Sequence, residues 1–353
     1  MSNAIYALIL AGGSGERFWP VSRRARPKQL LRLFADSTLL EQTVARLEGL
    51  VPQERILILT NTEQEKAVRE LLPEFSSSNI VAEPAKRDTA AAIALGVGWV
   101  AARDHLATML VLPADHVIND VGAFHSTLRT AAAAAEATGA LVAIGVKPTW
   151  ACPGFGYIEL GASETSDGGT LHHAVRFREK PNAELAETFL RQGNFRWNAG
   201  MFVWSVPAVL SEFNRHTPKL ATFIAQLRTP DQFERTLQSQ FARLPKISFD
   251  YAIMEKADRV LVVEAQFDWD DVGGWRAVSH YLPHDEGDNA ANCQLATLDA
   301  TNNIVFAQDA TCVALLGVNN LIVIRTGDAL LVCHRMHAEK IKNLVAKLPP
   351  KLQ

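Results

Sequence analysis

The sequence predicts an α/β fold in which a mostly parallel sheet is covered by helices on both faces and is followed by a small β-rich domain. Short, continuously apolar segments alternate with helix-like patterns through the first 145 residues, as in strands buried on both faces. The length of 353 residues favours one large domain plus a smaller one. Beyond His280, short strand patterns recur with turn signals such as Asn319-Asn320 between them.

Each element of the first half has a local reason. The first strand is predicted over IYALILA, and the other apolar runs of strand length lie at residues 55–60, 79–82, 107–112 and 140–145. Helices are predicted between these runs, at residues 38–50, 62–72 and 88–103 and in an alanine-rich stretch that ends near Gly139. Thr38 with Glu41, and Thr62 with Glu65, have the spacing of capping boxes at helix starts.

From about Pro153 the pattern changes. The stretches GYIEL, AVRFREK and AGMFVW predict short strands of mixed polarity, and further helices are predicted between Pro207 and Phe241. The last part contains five predicted strands and a final helix, at residues 293–298, 303–307, 312–316, 321–324, 329–333 and 338–347. Acids, glycine and asparagine cluster near residues 284–289. We therefore expect a catalytic domain over residues 1–284 and a β-rich domain over residues 285–353.

Composition argues against several classes of function. The formal net charge of -3 gives no global basic field of the kind that nucleic-acid binders carry. The four cysteines form no CxxC pair, which favours reduced thiols over zinc or disulfides. Neither a membrane-spanning apolar run nor a signal-peptide pattern is present. We expect a cytoplasmic homodimer that binds neither nucleic acid nor a membrane.

Residues 11–31, AGGSGERFWPVSRRARPKQLL, have the composition of a phosphate-binding loop. Gly12, Gly13 and Gly15 allow backbone N–H groups to approach phosphate oxygens, and Arg17 adds a forked donor. Phe18 breaks the G-x-G-x-x-G pattern, and no lysine follows the glycines directly as in a P-loop. The loop follows the first strand, and ligands of parallel sheets lie at the carboxyl ends of strands.

The lysine farther along this loop suits a reaction between two phosphorylated substrates. Pro20 and Pro27 stiffen the segment that leads to Lys28. Two like unit charges 4 Å apart repel by about 4 kcal/mol at an effective dielectric of 20, and several such pairs arise when a sugar phosphate attacks a nucleotide. A metal ion and a positioned lysine can offset that repulsion. We interpret the arginines from Arg23 to Arg26 as surface residues.

Two acidic segments are candidates for the metal. Asp115 in PADH follows the fourth strand, at the same predicted edge as the glycine loop, and a carboxylate there can hold Mg²⁺. The stretch DWDDVGGW offers three more carboxylates at residues 268, 270 and 271. Asp268 is interpreted as a turn residue, yet Asp268-Trp269-Asp270 also matches the D-x-D metal motif of glycosyltransferases. His116 is interpreted as a neighbour of the metal rather than a ligand.

Taken together, these stretches resemble the sugar-phosphate nucleotidylyltransferase family, and more narrowly its mannose-1-phosphate guanylyltransferase branch. The loop stretch resembles the family signature, and the further matches follow in the family's order up to about residue 276: AEPAKRDTAAAIAL, VLPADHVI, FREKP, WNAGMFVW, SFDYAIMEK and DWDDVGGW. The resemblance implies a Rossmann-like sheet of the nucleotide-diphospho-sugar transferase type. VALLGVNNLIVIRTGDALLVCHRMHAEKIK resembles the family's small β-rich domain, which implies a short left-handed β-helix.

The resemblance implies transfer of GMP from GTP to mannose 1-phosphate by direct, Mg²⁺-assisted attack on the α-phosphorus, with GDP-mannose and pyrophosphate as products. The catalytic residues it implies are Arg17, Lys28, Asp115 and Asp271, of which the two aspartates hold the metal. The implied nucleotide-binding residues are Ala11, Gly12, Gly13, Gly15, Glu83, Pro84, Asp88, Thr89 and Ala114. The implied sugar-phosphate residues are Gly156, Glu179, Lys180 and Asn198.

The chemistry of several side chains fits these roles. The carboxylate of Glu83 can accept both the N1–H and the N2–H₂ of guanine, and adenine offers no such pair of donors. Asp88 stands where the family more often has asparagine, so it is interpreted either as a base or ribose contact or as a helix cap. A carboxylate and an amide can hold sugar hydroxyls, and Lys180 can meet the phosphate. For Asp250, packing or a helix cap is the favoured interpretation.

Other functions remain as alternatives. The chain can be a nucleotidylyltransferase for another sugar 1-phosphate, such as that of glucose or a heptose, or a D-x-D glycosyltransferase. The glycosyltransferase interpretation leaves Arg17 and Lys28 unexplained. A catalytically silent sensor would more naturally lack Lys28 or one metal carboxylate, and neither is missing. Because the sequence ends at residue 353, without the isomerase domain of some longer relatives, we expect a single activity.

Overall fold

A computed structural model of the chain describes residues 3–13, 15–166, 169–227, 232–309 and 312–353. Within this part, nine strands form one sheet in the order β3-β2-β1-β4-β8-β5-β9-β7-β6. Strands β1 to β5 are Ile5–Leu10, Ile56–Asn61, Ile80–Glu83, Thr108–Pro113 and Leu141–Val146, and strands β6 to β9 are Tyr157–Ser166, Gly169–Arg178, Phe195–Ser205 and Val260–Glu264.

The sheet is parallel over most of its first half. Strands β3, β2, β1 and β4 run parallel to one another, as do β5 and β9. Strand β8 lies antiparallel between β4 and β5, and β7 pairs antiparallel with β9 and β6. The prediction of a mostly parallel α/β sheet is confirmed. Strand β9 was not predicted from the sequence, although VLVVE is a short apolar run of the kind that predicted the other strands.

Helices cover both faces of the sheet. Successive strand residues point to opposite faces, so Leu8 belongs to one core and its neighbour Ile9 to the other. No helix among the described residues is long and apolar enough to cross a membrane. The helices α1 to α10 are Leu39–Ala45, Glu65–Leu71, Asp88–Ala101, Val121–Thr138, Ala183–Gln192, Val206–His216, Pro218–Leu227, Phe233–Gln240, Trp275–Val278 and Ile341–Val345.

One of the two predicted capping boxes is present. The Thr38 hydroxyl accepts from the Glu41 N–H, and the Glu41 carboxylate accepts from the Thr38 N–H at the start of α1. The box predicted from Thr62 and Glu65 is wrong, because α2 starts at Glu65 without a side-chain cap. The turn before α2 is instead made by Asn61, whose side-chain oxygen accepts from the backbone N–H groups of residues 63 and 64.

The C-terminal part is a stack of short strands that are parallel except for the last one, which pairs antiparallel with its neighbour. Strands β10 to β15 are Ala290–Ala291, Leu295–Leu298, Ile304–Ala307, Val313–Leu316, Leu321–Arg325 and Leu330–His334. Strands β10, β12 and β14 are parallel on one side, and β11 and β13 are parallel on another. Asparagines link successive turns, because Asn303 donates to the Asn289 side chain (2.7 Å) and accepts from the Leu321 N–H (2.8 Å). The last helix is shorter than predicted, with α10 preceded by a 3₁₀ turn at Arg335–Lys340.

The segment after the glycine loop packs against this C-terminal part. Phe18 contacts Trp275 (ring centroids 5.6 Å apart), and Trp275 in turn contacts Phe306 of β12 (5.1 Å). The indole N–H of Trp19 donates to the Leu352 carbonyl (2.8 Å). The β-rich stack therefore lies directly beside the loop that carries Arg17. The predicted domain boundary at residues 284–289 remains a prediction.

Candidate functional site

The glycine loop follows β1 and is fixed through its carbonyl groups. Gln29 donates to the carbonyls of Ala11 (2.6 Å) and Gly13 (3.3 Å), and Gln64 also donates to the Gly13 carbonyl (3.1 Å). Both glutamine side chains are buried. Sequence reasoning missed them, since a single glutamine has no motif of its own. Ser14, which lies within the loop, is outside the described residues.

Two alanines predicted at the nucleotide site have their amides engaged elsewhere. The Ala11 N–H donates to the Leu59 carbonyl (2.7 Å), and the Ala114 N–H donates to the Leu10 carbonyl (3.1 Å). Both alanines are buried at the ends of β1 and β4. They line the loop as small residues, and their N–H groups extend the sheet ladder instead of facing the loop.

Lys28 lies beside the glycine loop, although thirteen positions separate it from Gly15. Gly15 has a left-handed backbone (φ 59°), and a Cβ added there would lie 2.4 Å from the Lys28 backbone nitrogen. Only glycine tolerates both the backbone angle and this contact. The segment between the two residues therefore doubles back on itself, so Lys28 and the glycines act at one place.

The Lys28 side chain is buried and contacts both residues that carry the predicted metal carboxylates. Its Nζ lies 2.9 Å from Asp115 Oδ2 and also donates to the backbone carbonyl of Asp271. Burial alone would raise the pKa of Asp115, but the charge of Lys28, with the hydrogen bond it donates, holds that pKa below its usual value. The prediction that the loops after β1 and β4 meet at one edge of the sheet is confirmed.

Asp271 differs from Asp115 in its surroundings. Burial, with the like charges of Asp270 and Asp115, raises the pKa of Asp271 to about 6, even though Lys28 acts in the opposite direction. Within the described chain, no group donates a hydrogen bond to its carboxylate. Two carboxylates therefore share one lysine, and the cluster carries an excess of negative charge that a cation would neutralise.

The two acidic loops are bonded to each other. Val117 and Asp270 exchange backbone hydrogen bonds (2.9 and 3.1 Å), and the Trp269 indole N–H donates to Nδ1 of His116 (3.1 Å). Burial lowers the pKa of His116 to about 4, so this histidine is neutral and can accept that bond. The loops that carry Asp115 and Asp271 are thus held as one unit.

The other two acids of DWDD serve structural roles. Asp268 accepts from the backbone N–H groups of Asn119 and Asp120 in the other acidic loop, so its interpretation as a turn residue is wrong. Asp270 accepts from the Val272 N–H (2.7 Å) and from the Tyr281 hydroxyl (2.9 Å). The two acids of the D-x-D pattern are therefore satisfied by protein donors, and Asp271 is the acid of this stretch that keeps its oxygens free.

The residues at this centre fit a magnesium ion that also binds substrate. In the described part of the chain, no group of three or more His, Cys, Asp or Glu is arranged to hold a metal. Mg²⁺ is commonly bound by one or two carboxylates together with substrate phosphates. Asp115 and Asp271, with their uncompensated negative charge, match that donor set.

Arg17 contacts the C-terminal part of the chain. Its Nε lies 3.0 Å from Glu339 Oε2, and its Nη1 donates to the Gly273 carbonyl (3.4 Å). The two side chains are exposed by 44% and 66%, so their ion pair is weak. A phosphate ligand can compete for this guanidinium. Glu339 gave no signal at the sequence level, since it lies far from every phosphate motif.

Glu83 ends β3 beside the glycine loop. A Cβ on Gly12 would lie 3.2 Å from Glu83 Oε2, and the other carboxylate oxygen is buried with no hydrogen-bond partner among the described residues. Burial, with the nearby charge of Asp88, raises the pKa of Glu83 to about 8. A buried carboxylate without donors is costly, so this group is suited to a ligand that brings them.

The next predicted nucleotide residues lie close to Glu83. Pro84 follows it directly and is half-buried. Asp88 has a left-handed backbone (φ 66°), and its carboxylate accepts from the Thr89 N–H (2.8 Å) at the start of α3. The Thr89 hydroxyl accepts from the Phe249 N–H (2.8 Å). Asp88 thus makes a local bond at the helix start, and Thr89 connects α3 to a distant segment.

The four predicted sugar-phosphate residues form a second cluster. A Cβ on Gly156 would lie 2.9 Å from Glu179 Oε2 and 3.8 Å from Asn198 Nδ2, so its lack of a side chain leaves a gap between them. The Asn198 N–H donates to the Gly156 carbonyl (2.8 Å), and Lys180 Nζ lies 3.0 Å from Glu179 Oε1. The structure brings these residues together at adjoining parts of β6, β7 and β8.

Asp250 also belongs to this second cluster, and its membership was not predicted from the sequence. Its carboxylate accepts from the Asn198 amide (2.7 Å), and it makes no helix-cap bond. Burial raises the pKa of Asp250, the Asn198 hydrogen bond opposes that rise, and the charge of Glu179 adds to it. The capping interpretation of Asp250 is therefore wrong, and its side chain is instead bonded to a predicted sugar residue.

A cavity of about 840 Å³ extends from Asp271, which lies in the cluster with Lys28 and Asp115, toward the second cluster. Arg17 and Asp271 line it at one end, and Phe155, the neighbour of Gly156, lines it at another. Arg335 and Glu339 from the C-terminal part close a further side. The volume suits a small-molecule ligand, since such sites typically measure about 300–1,000 Å³.

Comparison with known proteins gives two family matches. A model described as nucleotidyl transferase matches residues 6–286, and one described as a mannoseP isomerase/GMP-like β-helix domain matches residues 294–348. A mannose-1-phosphate guanylyltransferase of Klebsiella pneumoniae is 38% identical over 344 residues, which is 96% of this chain and 72% of that protein. A mannose-1-phosphate guanylyltransferase of Escherichia coli is 37% identical over 344 residues, which is again 96% of this chain and 72% of that protein. A crystal structure described as mannose-1-phosphate geranyltransferase from Thermus thermophilus superposes with a TM-score of 0.87 at 38% identity, covering 97% of this chain and 98% of that one.

Proposed function

The chain belongs to the nucleotidyl transferase family, and we propose that it transfers GMP from GTP to mannose 1-phosphate, releasing pyrophosphate. The observation that carries this proposal is the cluster of Lys28, Asp115 and Asp271 beside the glycine loop, with Gly15 against Lys28. This cluster places one lysine ammonium group, two carboxylates and a glycine turn at one edge of the sheet. The names of the relatives at 37–38% identity support mannose 1-phosphate as the acceptor.

The proposed mechanism is a direct attack of the sugar phosphate on the α-phosphorus of GTP. Lys28 stabilises the negative charge that builds up where the two phosphates meet, because it is buried and held by Asp115. Arg17 exchanges its weak pairing with Glu339 for the triphosphate. Mg²⁺, held by Asp115 and Asp271, would supply further charge neutralisation. The chain positions the substrates and screens their repulsion, and no covalent intermediate with the protein is required.

Glu83 is proposed to select guanine. Its carboxylate, with one buried oxygen that has no partner among the described residues, can accept the N1–H and N2–H₂ donors together. Adenine would leave the carboxylate unpaired and buried, which typically costs about 1–3 kcal/mol or more. At the other end, Glu179 and Asn198 are proposed to hold sugar hydroxyls and Lys180 the sugar's phosphate.

The D-x-D glycosyltransferase alternative is disfavoured by the hydrogen bonds of the motif itself. Asp268 and Asp270 are satisfied by backbone and tyrosine donors, which leaves few free oxygens for a nucleotide-bound metal. The alternative also gives no role to the buried Lys28. Transfer to another sugar 1-phosphate is a narrower alternative that the test below includes.

The test is pyrophosphate release from each of four nucleoside triphosphates with mannose 1-phosphate, glucose 1-phosphate and a heptose 1-phosphate, with Mg²⁺ or with EDTA. GTP with mannose 1-phosphate and Mg²⁺ is expected to give the highest kcat/KM. Asp271→Asn is expected to lose most of this turnover, and Asp258→Asn serves as an exposed control. Absence of pyrophosphate with GTP and mannose 1-phosphate would contradict the proposal. We also propose a homodimer, which light scattering tests.

A further inference from the structure

Hydrogen bonds connect the predicted nucleotide residues at the start of α3 with the second cluster, which holds the predicted sugar-phosphate residues. The connection runs through residues 247–250. The Thr89 hydroxyl accepts from the Phe249 N–H (2.8 Å), and the Ala90 N–H donates to the Ile247 carbonyl (3.2 Å). Helix α3 is thus bonded at its first turn to residues 247–249. These residues lead directly into Asp250, the carboxylate that holds Asn198.

The second half of the connection fixes the Asn198 side chain at both of its ends. Asn198 Nδ2 donates to Asp250 (2.7 Å), and Asn198 Oδ1 accepts from the Gly200 N–H (3.1 Å). The amide nitrogen has two hydrogens, so one remains for a ligand beside the gap at Gly156. Asp250 also opens a π-helical turn, Asp250–Met254, a rare conformation that occurs frequently at functional sites.

Packing alone does not account for this arrangement. A carboxylate withdrawn from water next to Glu179 is unfavourable, and its hydrogen bond from Asn198 offsets only part of that cost. The Thr89 hydroxyl is likewise committed to a backbone N–H that is 160 residues away in sequence. The 247–250 segment is bonded to Thr89 on one side and, through Asp250, to Asn198 on the other. Thr89 is expected to contact the nucleotide, and Asn198 is expected to contact the sugar.

We propose that Thr89 is a positioning residue for the sugar end of the site, acting through residues 247–250 on Asp250 and Asn198. This inference rests on the proposed function, because it assigns the two clusters to GTP and to the sugar 1-phosphate. GTP held at Asp88 and Thr89 then fixes Asp250, which orients the Asn198 amide toward the sugar hydroxyls. By thermodynamic reciprocity, the sugar phosphate raises the affinity for GTP by the same factor.

Steady-state kinetics of Thr89→Val and Thr89→Ser provide the first test. The valine keeps the shape of threonine and removes the acceptor for the Phe249 N–H, whereas serine keeps the hydroxyl. Thr89→Val is expected to raise KM for mannose 1-phosphate about tenfold at saturating GTP. KM for GTP, measured at low mannose 1-phosphate so that the coupling does not contribute, is expected to rise by less than threefold, and Thr89→Ser to restore both within twofold. Thr222→Val, which removes an exposed helical hydroxyl, is the matched control.

Binding measurements provide a second test that does not depend on turnover. The affinity for mannose 1-phosphate is measured by calorimetry with and without the unreactive α,β-methylene analogue of GTP. In the unaltered protein the analogue is expected to raise that affinity at least fivefold. Asp250→Leu, which removes the acceptor that holds Asn198 and leaves Thr89 in place, is expected to weaken sugar binding and reduce the enhancement to less than twofold.

The outcomes separate this inference from the proposed function. If the unaltered protein releases no pyrophosphate with any sugar 1-phosphate, the proposed function fails. If turnover is normal but Thr89→Val changes only the KM for GTP, Thr89 is a nucleotide contact and the inference is overturned. Equal enhancement by the analogue in the unaltered protein and in Asp250→Leu overturns it as well. Thermal unfolding of each variant shows whether it is folded, and Asp250→Leu decides the question if Thr89→Val does not fold.

Discussion

The sharpest prediction concerns Glu83→Gln, because the side chain of Glu83 opposes folding at neutral pH. Burial and Asp88 raise its pKa from 4.5 to about 8. A carboxyl group with a raised pKa binds its proton more tightly in the folded than in the unfolded state. The free energy of unfolding therefore falls as pH rises from 4.5 to 8, and the loss is complete only above pH 8. Glutamine has no such titration.

The size of the effect follows from the two pKa values. Each pH unit inside this window costs about 1.36 kcal/mol, so the unaltered protein should lose about 2.5 kcal/mol relative to Glu83→Gln between about pH 6 and pH 8.5. The figure is an upper value, because Glu83 is partly exposed. Urea unfolding of both proteins at the two pH values measures it. Glu48→Gln, a substitution at an exposed position, should show no such difference between the two pH values.

The same residue links GTP binding to proton release. If guanine donors pair with the carboxylate, binding at pH 7 should release about 0.9 proton per GTP, the fraction bound at a pKa of about 8. Calorimetry in two buffers of different ionisation enthalpy measures this number. Glu83→Gln should release none and should bind GTP about 10- to 100-fold more weakly. An unchanged proton count in the variant, or an equal stability difference at the two pH values, would contradict the raised pKa of Glu83 and its pairing with guanine.

Further predictions concern the phosphate and metal cluster. Lys28→Met should lower kcat at least about 100-fold and leave the protein folded, measured by pyrophosphate release beside the exposed control Lys66→Met. Asp271→Asn should raise the Mg²⁺ concentration needed for half-maximal activity about tenfold. Asp270→Asn should instead lower stability by about 1–2 kcal/mol through weaker bonds to Val272 and Tyr281, and a matching Mg²⁺ response in the two variants would contradict the assignment. Gly15→Ala should destabilise the protein by at least about 2 kcal/mol, because it adds the contact with Lys28 to the backbone strain. Gly49→Ala, with a similar backbone angle and open space around it, should cost about 1 kcal/mol in the same unfolding assay.

Much of the fold and of the cluster of charges was predictable because the signals are local or topological. The strands are continuous apolar runs, and the Thr38 capping box lies within four residues. The meeting of Lys28 with Asp115 follows from the rule that loops after parallel strands share an edge. These inferences need no knowledge of side-chain direction. They succeed wherever one strong local pattern decides the structure.

The unpredicted parts depend on contacts between distant segments. Nothing in the sequence near Glu339 indicates that it pairs with Arg17, and nothing near Asp250 indicates that it holds Asn198. Residue type alone does not distinguish the three acids of DWDD. The family resemblance indicated Asp271, and the structure distinguishes it by the donors that the other two acids bind. The Thr62 box failed for a related reason. There Asn61 competes successfully for the same turn, and spacing alone cannot rank two good caps.

The charge balance of the centre supports the proposal that two carboxylates and one lysine bind a divalent cation together with the triphosphate. Lys28 offsets one of the two acids, so the cluster by itself carries about one excess negative charge, which is spread over Asp115 and Asp271 and contributes to the raised pKa of Asp271. A third carboxylate would repel the incoming triphosphate further. A second lysine would remove the attraction for a divalent cation. If Asp115 and Asp271 hold Mg²⁺ as proposed, substrate phosphates complete its coordination, and the affinity for the cation is expected to rise when GTP is bound.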